Sequence, residues 1–570
     1  MTASSSPHVR LLLLGTLFLG CASLLSYRLF AYQHLDHELY SRLASDRHRD
    51  TVKIAPRRGS LLDTNGHPLA VSVSFGAVQV VGKEIGRPEA VATALAPILE
   101  LPTAEILSRI DPTNERPVVV KDKLPAAVAD RVADLDLRGV YLAQVPVRVY
   151  PEGSFAAQIL GFVGNEHHGL TGLEHYFDED LAGQIGTIDT ETDTEGNEMI
   201  FGRRVVTPSR DGADILLTLD RFVQRLAERE LAEAVRQNKG AGGMIVVLEP
   251  STGAVLGMAS APTYELSDSI TLNPRDQHLY KAVPVTNQYE PGSVMKVVTM
   301  AAGLEQGVVG PNTIVHDSGV VLFGNTAIRN WDLRANGAIS MTEVLVRSSN
   351  IGAQWVAGRV GAQEFYRYLS TFGFGQPTGI ELPGEVPGTV RTSSSPGWVP
   401  IDLATNSFGQ GVAVTPLQML AAIAAIGNDG LMMRPTLIKQ FDVDGQIQRP
   451  EPHAVRRVVS APTARTLRDM LTAVLDQPAL QAHRISGYRV AGKTGTADVP
   501  TNLGYTSGKT FASIVALLPA EQPRLAVLIR IDAPEAIYGG VVAAPVLKRV
   551  GQELLAYYRI PPAAPAAVVR

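Results

Sequence analysis

Residues 487–497 read GYRVAGKTGTA, and two folds compete for them. Gly487 to Thr494 fits G-x-x-x-x-G-K-[ST] letter for letter, which would make a phosphate-binding loop between a buried strand and a helix. The flanks refuse that context. Upstream stands QPALQAHRIS, no apolar strand, and downstream DVPTNLGYTSG, whose Pro500, Asn502 and Gly504 cannot sustain a helix. Tyr488, Arg489 and Val490 would also crowd a loop that must wrap a phosphate. The same letters suit an extended edge. Tyr488-Arg489-Val490-Ala491 is β-prone, and Gly492 and Gly495 let another backbone approach closely. An extended peptide can add itself along such an edge through main-chain hydrogen bonds. Lys493 and the hydroxyls of Thr494 and Thr496 would then meet its terminal carboxylate.

That reading requires a nucleophile elsewhere, and YEPGSVMKVVTMAAGLEQG (289–307) supplies one. Ser293 follows Pro291-Gly292 and opens a helix, with Lys296 one turn on along the same face. A hydroxyl is a weak nucleophile until a base takes its proton, and a lysine desolvated beside a second cation can be neutral enough to do so. The helix N-terminus adds free backbone N–H groups for an oxyanion. Alone the motif says little, because S-x-x-K arises by chance about once in a chain of this length and serine is a favoured N-cap. A third piece lies between the two. AISMTEVLVRSSNIGAQWVAGRVG (338–361) begins with a capping box, Ser340 to Glu343, and runs as a helix to about Arg347. Ser348-Ser349-Asn350 then places Ser348 and Asn350 on an inter-helical loop. The break is either a polar joint between helices, or a hydroxyl relaying protons among Lys296, Lys493 and a leaving group, with Asn350 binding a substrate amide.

The 570 residues suffice for several domains, and the charge of −5 supplies no global basic field for nucleic acid. Leu11 to Tyr27, LLLLGTLFLGCASLLSY, carries no charge and extends through Phe30. It reads as a retained membrane helix with a short N-terminus inside and the remainder outside, in preference to a cleaved signal peptide. A tyrosine, an arginine and two aromatics follow where a small-residue cleavage site would stand. Cys21, the one cysteine, leaves no intramolecular disulfide and no cysteine nucleophile. The histidines, His34, His37, His167 and His168 among them, show no metal-ligand spacing, so neither metal nor cofactor is expected. Leu35 to Val52 reads as a polar helical stalk. Asn65-Gly66 between alternating runs signals a type I′ hairpin. PEAVATALAPILEL and LPAAVADRVADL read as helices and GVYLAQVPVRVYP as a strand. GLTGLEHYFDEDLAGQIGTI (169–188) and the acidic run TETDTEGNE look like a connection, and the helix RFVQRLAERELAEAVRQ with strands GGMIVVLEP and GAVLGMAS opens a second region. PPAAPAAVVR at the end is low-complexity.

Taken in order, Ser293-Val294-Met295-Lys296, Ser348-Ser349-Asn350 and Lys493-Thr494-Gly495-Thr496 resemble the motifs of a penicillin-binding protein transpeptidase domain. Arg58-Gly59-Ser60-Leu61-Leu62-Asp63, Arg148-Val149-Tyr150-Pro151, Gly161-Phe162-Val163-Gly164 and Gly172-Leu173-Glu174 resemble the N-terminal module of the class B members. Thr378 to Glu385, Phe408-Gly409-Gln410-Gly411 and Val414-Thr415-Pro416 match further landmarks, and Tyr538-Gly539-Gly540 with Ala543 to Val546 resembles the division branch. The resemblance implies an α+β fold: a transmembrane helix, a mixed α+β pedestal or dimerisation-like module, and a serine β-lactamase-like transpeptidase domain with an antiparallel sheet flanked by helices. The boundaries expected are 1–10 tail, 11–30 anchor, 31–52 stalk, 53–210 N-terminal module, 211–557 transpeptidase domain and 558–570 disordered tail.

The activity so implied is peptidoglycan D,D-transpeptidation. Ser293 attacks the penultimate D-Ala carbonyl of a stem peptide, and an acceptor amine resolves the acyl-enzyme. Lys296, Ser348, Asn350 and Lys493 are the further catalytic residues, and Thr494, Gly495 and Thr496 bind substrate. The backbone N–H groups of Ser293 and Thr496 form the oxyanion hole, and β-lactams acylate the serine. The family also implies a SEDS-type membrane glycosyltransferase and divisome membrane proteins as partners, in the inner membrane of a bacterium with the catalytic domain extracytoplasmic. Two rivals remain: a serine β-lactamase or β-lactam sensor, and a catalytically silent division scaffold. Against the first stands the lack of a recognisable deacylating glutamate motif, and against the second the intact constellation.

Overall fold

The computed structural model describes residues 7–40, 49–164, 167–192, 199, 204–266, 275–501 and 504–562. They divide into two compact units, residues 1–57 with 183–211 and residues 58–182 with 212–570.

In the first unit the helix Pro7–Phe30 buries none of its side chains. Its 24 residues rise about 36 Å at 1.5 Å each, against the ~30 Å hydrocarbon core of a bilayer. It is long and apolar enough to cross a membrane. A π-helical turn, Ala31–Leu35, follows. The helical stalk expected to Val52 is corrected: Arg49–Ile54 is a strand, antiparallel to Gly186–Glu191, which pairs in turn with Arg204–Thr207. Alternation of Thr51, Lys53 and their β-branched neighbours Val52 and Ile54 suits that pairing. Residues 41–48 of the stalk and 193–198 of the acidic run lie outside the described residues.

The second unit opens with Leu61–Leu62 and the long strand Pro68–Val80 as a hairpin. The expected type I′ turn is corrected, because Gly66 alone of the two turn residues has positive φ, +85°. Asp63 accounts for this by drawing in the N–H groups of Asn65 and His67, both at 2.8 Å. Val118–Leu124 and Val140–Val149 extend the sheet, and the expected helices Pro88–Leu99 and Ala126–Ala133 pack on it through Val91, Leu95 and Val132. On the other side Leu61–Leu62 pairs in parallel with Asp214–Leu217, which pairs with Ile438–Val443. One sheet thus takes strands from both halves of the chain.

The stretch expected as a connection is instead a packed wedge, with Glu174 on the short helix Gly172–Tyr176 fully buried. Arg58 Nε and Arg148 Nε each donate to its carboxylate at 2.7 Å. Arg58 also reaches Asp178, and Arg148 the Gly59 carbonyl, both at 2.7 Å. Three separated N-terminal motifs therefore converge on one buried carboxylate. His168 is exposed, as expected of a solvated side chain, and also pairs with Asp178 at 3.0 Å.

A second sheet of five antiparallel strands runs in the order Val255–Ala261, Gly242–Leu248, Leu525–Asp532, Gly504–Leu518, Ala491–Thr501. Period-2 alternation splits its side chains between two layers. Ile245, Val247, Ile514 and Ile529 face the helices Arg221–Gln237 and Gly539–Tyr557. Met244, Val246, Val515 and Leu528 face a helical layer that includes the wholly buried Pro416–Gly427. Asp220 caps the first of these helices, accepting from Phe222 N at 2.8 Å, so it begins where the sequence placed it. The tail expected to be loose from 558 is partly fixed: Ile560 is buried and its carbonyl accepts from Tyr488 Oη at 2.6 Å. Residues 563–570 lie outside the described residues.

Candidate active site

The edge strand 491–501 decides the question posed by GYRVAGKTGTA. No helix follows Lys493; the chain stays extended to Thr501. The strand begins at Ala491 rather than at Tyr488, because Gly487 (φ +81°) and a turn from Tyr488 N to the Ile485 carbonyl occupy the preceding residues. Gly495 is needed for close approach: a Cβ there would stand 2.4 Å from Ser513 Oγ and 2.8 Å from a Val294 methyl. The absent side chain lets the segment bearing Ser293 lie against the strand.

Ser293 belongs to a 3₁₀ turn, Gly292–Met295, that feeds the helix Lys296–Glu305. The expected α-helical start is thus tightened, and a 3₁₀ turn eclipses side chains three apart. Lys296 Nζ consequently lies 2.9 Å from Ser293 Oγ. The capping box forms as expected, with Ser340 N donating to Glu343 at 2.9 Å at the start of Met341–Val346. Ser348 follows with φ +55°, a left-handed conformation that costs a non-glycine residue about 1–2 kcal/mol. Asn350 is not on the loop but is the first residue of the helix Asn350–Val360, which Ser349 caps by accepting from Gly352 N at 2.8 Å.

The strained serine serves both lysines. Lys296 Nζ donates to the Ser348 carbonyl at 2.6 Å and to its Oγ at 3.1 Å, and Lys493 Nζ reaches the same Oγ at 3.1 Å. Asn350 Oδ1 is a fourth oxygen on Lys296, at 2.8 Å, while Asn350 Nδ2 donates to the Arg329 carbonyl at 2.8 Å. In the free chain Asn350 thus engages Lys296 through Oδ1 and the Arg329 carbonyl through Nδ2. Both ammonium groups are almost fully buried. Burial, and then the charge of Lys493, hold Lys296 well below the usual lysine range, with Asp317 opposing; burial lowers Lys493 to about 7.

Thr494 presents its carbonyl to Lys493 Nζ at 3.1 Å, and Thr496 Oγ1 accepts from Gly539 N at 3.1 Å. A Cβ on Gly292 would stand 2.8 Å from the Thr496 carbonyl, so the turn that bears Ser293 lies backbone to backbone with the strand at Thr496. All eight residues singled out in the sequence are therefore brought to one place. Sequence reasoning missed Asp317 and Asn330. Asp317 ends the strand Ile314–Asp317 fully buried and accepts from Ser349 Oγ at 2.7 Å. Asn330 Oδ1 accepts from Asn350 N at 2.9 Å. Neither stands at a fixed spacing from a motif, so only their polarity could have drawn attention. Trp331 and Tyr538, both exposed, meet edge to face at 5.4 Å between the 347–350 and 494–496 segments.

Comparison with known proteins places these features. The family model described as the penicillin-binding protein transpeptidase domain matches residues 243–552, and that of the penicillin-binding protein dimerisation domain matches 53–217. The chain is similar to stage V sporulation protein D of Bacillus subtilis, at 33% identity over 97% of this chain and 86% of that one. It is similar also to the peptidoglycan D,D-transpeptidase FtsI of Escherichia coli, at 30% identity over 97% and 92%. Among solved structures it resembles penicillin-binding protein 3 of Mycobacterium tuberculosis complexed with aztreonam (27% identity, TM-score 0.70, covering 90% and 99%). A peptidoglycan synthetase from Bifidobacterium adolescentis matches with 26% identity and TM-score 0.74, covering 91% and 98%.

Proposed function

The chain belongs to the penicillin-binding proteins that carry a transpeptidase domain, and from that premise we propose that it is a membrane-anchored peptidoglycan D,D-transpeptidase whose nucleophile is Ser293. The carrying observation is Lys296 Nζ at 2.9 Å from Ser293 Oγ, buried and short of its ordinary proton affinity. Neutral Lys296 takes the hydroxyl proton as Oγ bonds to the penultimate D-Ala carbonyl carbon. The backbone N–H groups of Ser293 and Thr496 hold the oxyanion. When the C–N bond breaks, the proton passes from Lys296 through Ser348 Oγ, which also touches Lys493, to the departing D-Ala amine. An amine from a neighbouring stem then attacks the ester, loses its proton by the reverse route and returns Ser293 free. Lys493 with the hydroxyls of Thr494 and Thr496 receives the donor carboxylate, and the peptide lies along the open edge at Gly495. β-Lactams enter by the same door.

The helix Pro7–Phe30 anchors the chain as a single span, N-terminus inside, with Tyr27, Phe30 and Tyr32 at its outer end. A SEDS-type glycosyltransferase and divisome proteins would share that membrane, with the work done at the septum. A domain boundary at 210/211 completes the reading. Labelled penicillin applied to the full chain in detergent tests the chemistry. The expected result is a stable covalent label on Ser293 that Ser293→Ala abolishes. A label that forms and vanishes within seconds means a β-lactamase, and no label means a scaffold. Depletion in the source bacterium tests the septal role: undivided filaments support it, rounded cells refute it.

A further inference from the structure

Asp317 makes five hydrogen bonds, all from neutral donors. Its Oδ1 accepts from Gly319 N (2.8 Å) and Asn330 Nδ2 (2.9 Å); its Oδ2 accepts from Asn330 Nδ2 (2.9 Å), Asn336 Nδ2 (2.6 Å) and Ser349 Oγ (2.7 Å). The side chain is wholly buried. A carboxylate placed there without a cation in contact is costly, and these five hydrogen bonds are what offset the cost. Here they converge on the loop that carries Ser348.

Ser349 donates its only hydroxyl proton to Asp317 and with the same oxygen accepts from Gly352 N, fixing the start of the 350–360 helix. Asn330 turns its NH₂ group to Asp317 and the Arg334 carbonyl, which aims Oδ1 at Asn350 N and Ile351 N. The residues after Ser348 are thus held at two points by groups that one carboxylate orients. Ser348 itself has the left-handed φ that relaxes unless its neighbours are pinned. Its carbonyl and hydroxyl, in turn, are two of the four oxygens on Lys296.

We propose that Asp317 is a positioning residue for transpeptidation: through Ser349 and Asn330 it clamps Ser348 between Lys296 and Lys493. Its charge has a second consequence. The charges acting on Lys296 are Lys493, from the edge strand, and Asp317, from the 314–317 strand, and they act in opposite senses. Removing the carboxylate leaves Lys493 unopposed.

The inference rests on Ser293 being the nucleophile. Its test is the acylation rate of the full chain by labelled penicillin against pH, with labelling stoichiometry read alongside. Asp317→Asn keeps the volume but turns an NH₂ group toward donors. The expected result is acylation about ten- to a hundredfold slower at full stoichiometry, with the acid limb of the profile moved to lower pH. Ser349→Ala, which keeps the carboxylate, is expected to slow acylation about tenfold without moving the limb. A purely structural role would lower stoichiometry while leaving rate and limb alone. Wild-type rate and limb in a folded Asp317→Asn overturn the inference, as does a wild-type rate in Ser349→Ala should Asp317→Asn fail to fold. A wild-type chain that does not label sinks the reading of Ser293 itself.

Discussion

Two clusters of buried charge sit in the same compact unit and are built on opposite plans. Around Glu174, one carboxylate receives two guanidiniums, each at 2.7 Å, and Asp178 takes a further bond from Arg58. Around Ser348, two lysines share a hydroxyl, and the carboxylate behind them touches neither. The first cluster is satisfied in charge, though the buried Arg148 Nη2 finds no hydrogen-bond partner; the second is frustrated. Satisfaction rigidifies a junction between distant segments. Frustration lowers a lysine's hold on its proton, which is what general-base chemistry at neutral pH requires.

The sharpest way to break the comparison is to remove the charge from the satisfied cluster. Glu174→Gln leaves two buried guanidiniums facing one amide oxygen, and breaking a buried pair this way costs about 3–5 kcal/mol. Denaturant unfolding should show that loss. Acylation of Ser293 per folded molecule should stay at the wild-type rate, since no bond from Glu174 reaches the 293, 348 or 493 segments. A slowed acylation would mean that the two clusters are coupled.

The same operation on the frustrated cluster should behave in reverse. Lys493→Met removes a buried ammonium that has no carboxylate partner, so stability at pH 7 should hold or rise while acylation slows about a hundredfold, equivalent to ~2.7 kcal/mol. The pH dependence carries its own sign. Folded Lys493 releases its proton at about 7 against an ordinary 10.5. Between these values the unfolded chain binds more protons, so raising the pH stabilises the folded wild type, and the variant loses that slope. Loss of Lys493 also removes a charge that lowers Lys296, so the acid limb of acylation should move to higher pH, opposite to the shift expected for Asp317→Asn.

What the sequence discloses follows the range of the forces involved. The 221–237 helix is legible to the residue because its cap, Asp220, and its apolar stripe are local. The capping box at Ser340 and the three motifs are equally short in reach. Asp317 is 32 residues from the serine it binds, and nothing but the tertiary fold fixes that distance. The 3₁₀ turn at Ser293 was hidden for a related reason: an α and a 3₁₀ start share the same letters, and packing against Gly495 and Gly409 selects between them. The strand Ile438–Val443, recruited into the N-terminal sheet, and the strand at Arg49 depend on partners far along the chain. The letters Asn65-Gly66 disclose a turn but not its type, since Asp63 competes for the backbone donors.

The weakest expected effect sharpens the comparison most cleanly, because it repeats the chemistry of Glu174 in water. Arg57 and Asp211 also form a guanidinium–carboxylate pair, Nε to Oδ2 at 3.3 Å, with Arg57 N on Oδ1 at 2.9 Å. Their side chains are 43% and 49% exposed, where the Glu174 carboxylate has no exposure at all. In water the charges are already solvated, so Asp211→Asn gives up a screened attraction and strands no buried group. Its cost should be below about 0.5 kcal/mol and should vanish at high salt, whereas that of Glu174→Gln should not. Denaturant unfolding of both variants at low and high ionic strength makes the measurement. Equal costs would mean that pairing itself stabilises this protein; unequal costs assign the difference to desolvation, the same force that loosens the hold of Lys296 and Lys493 on their protons.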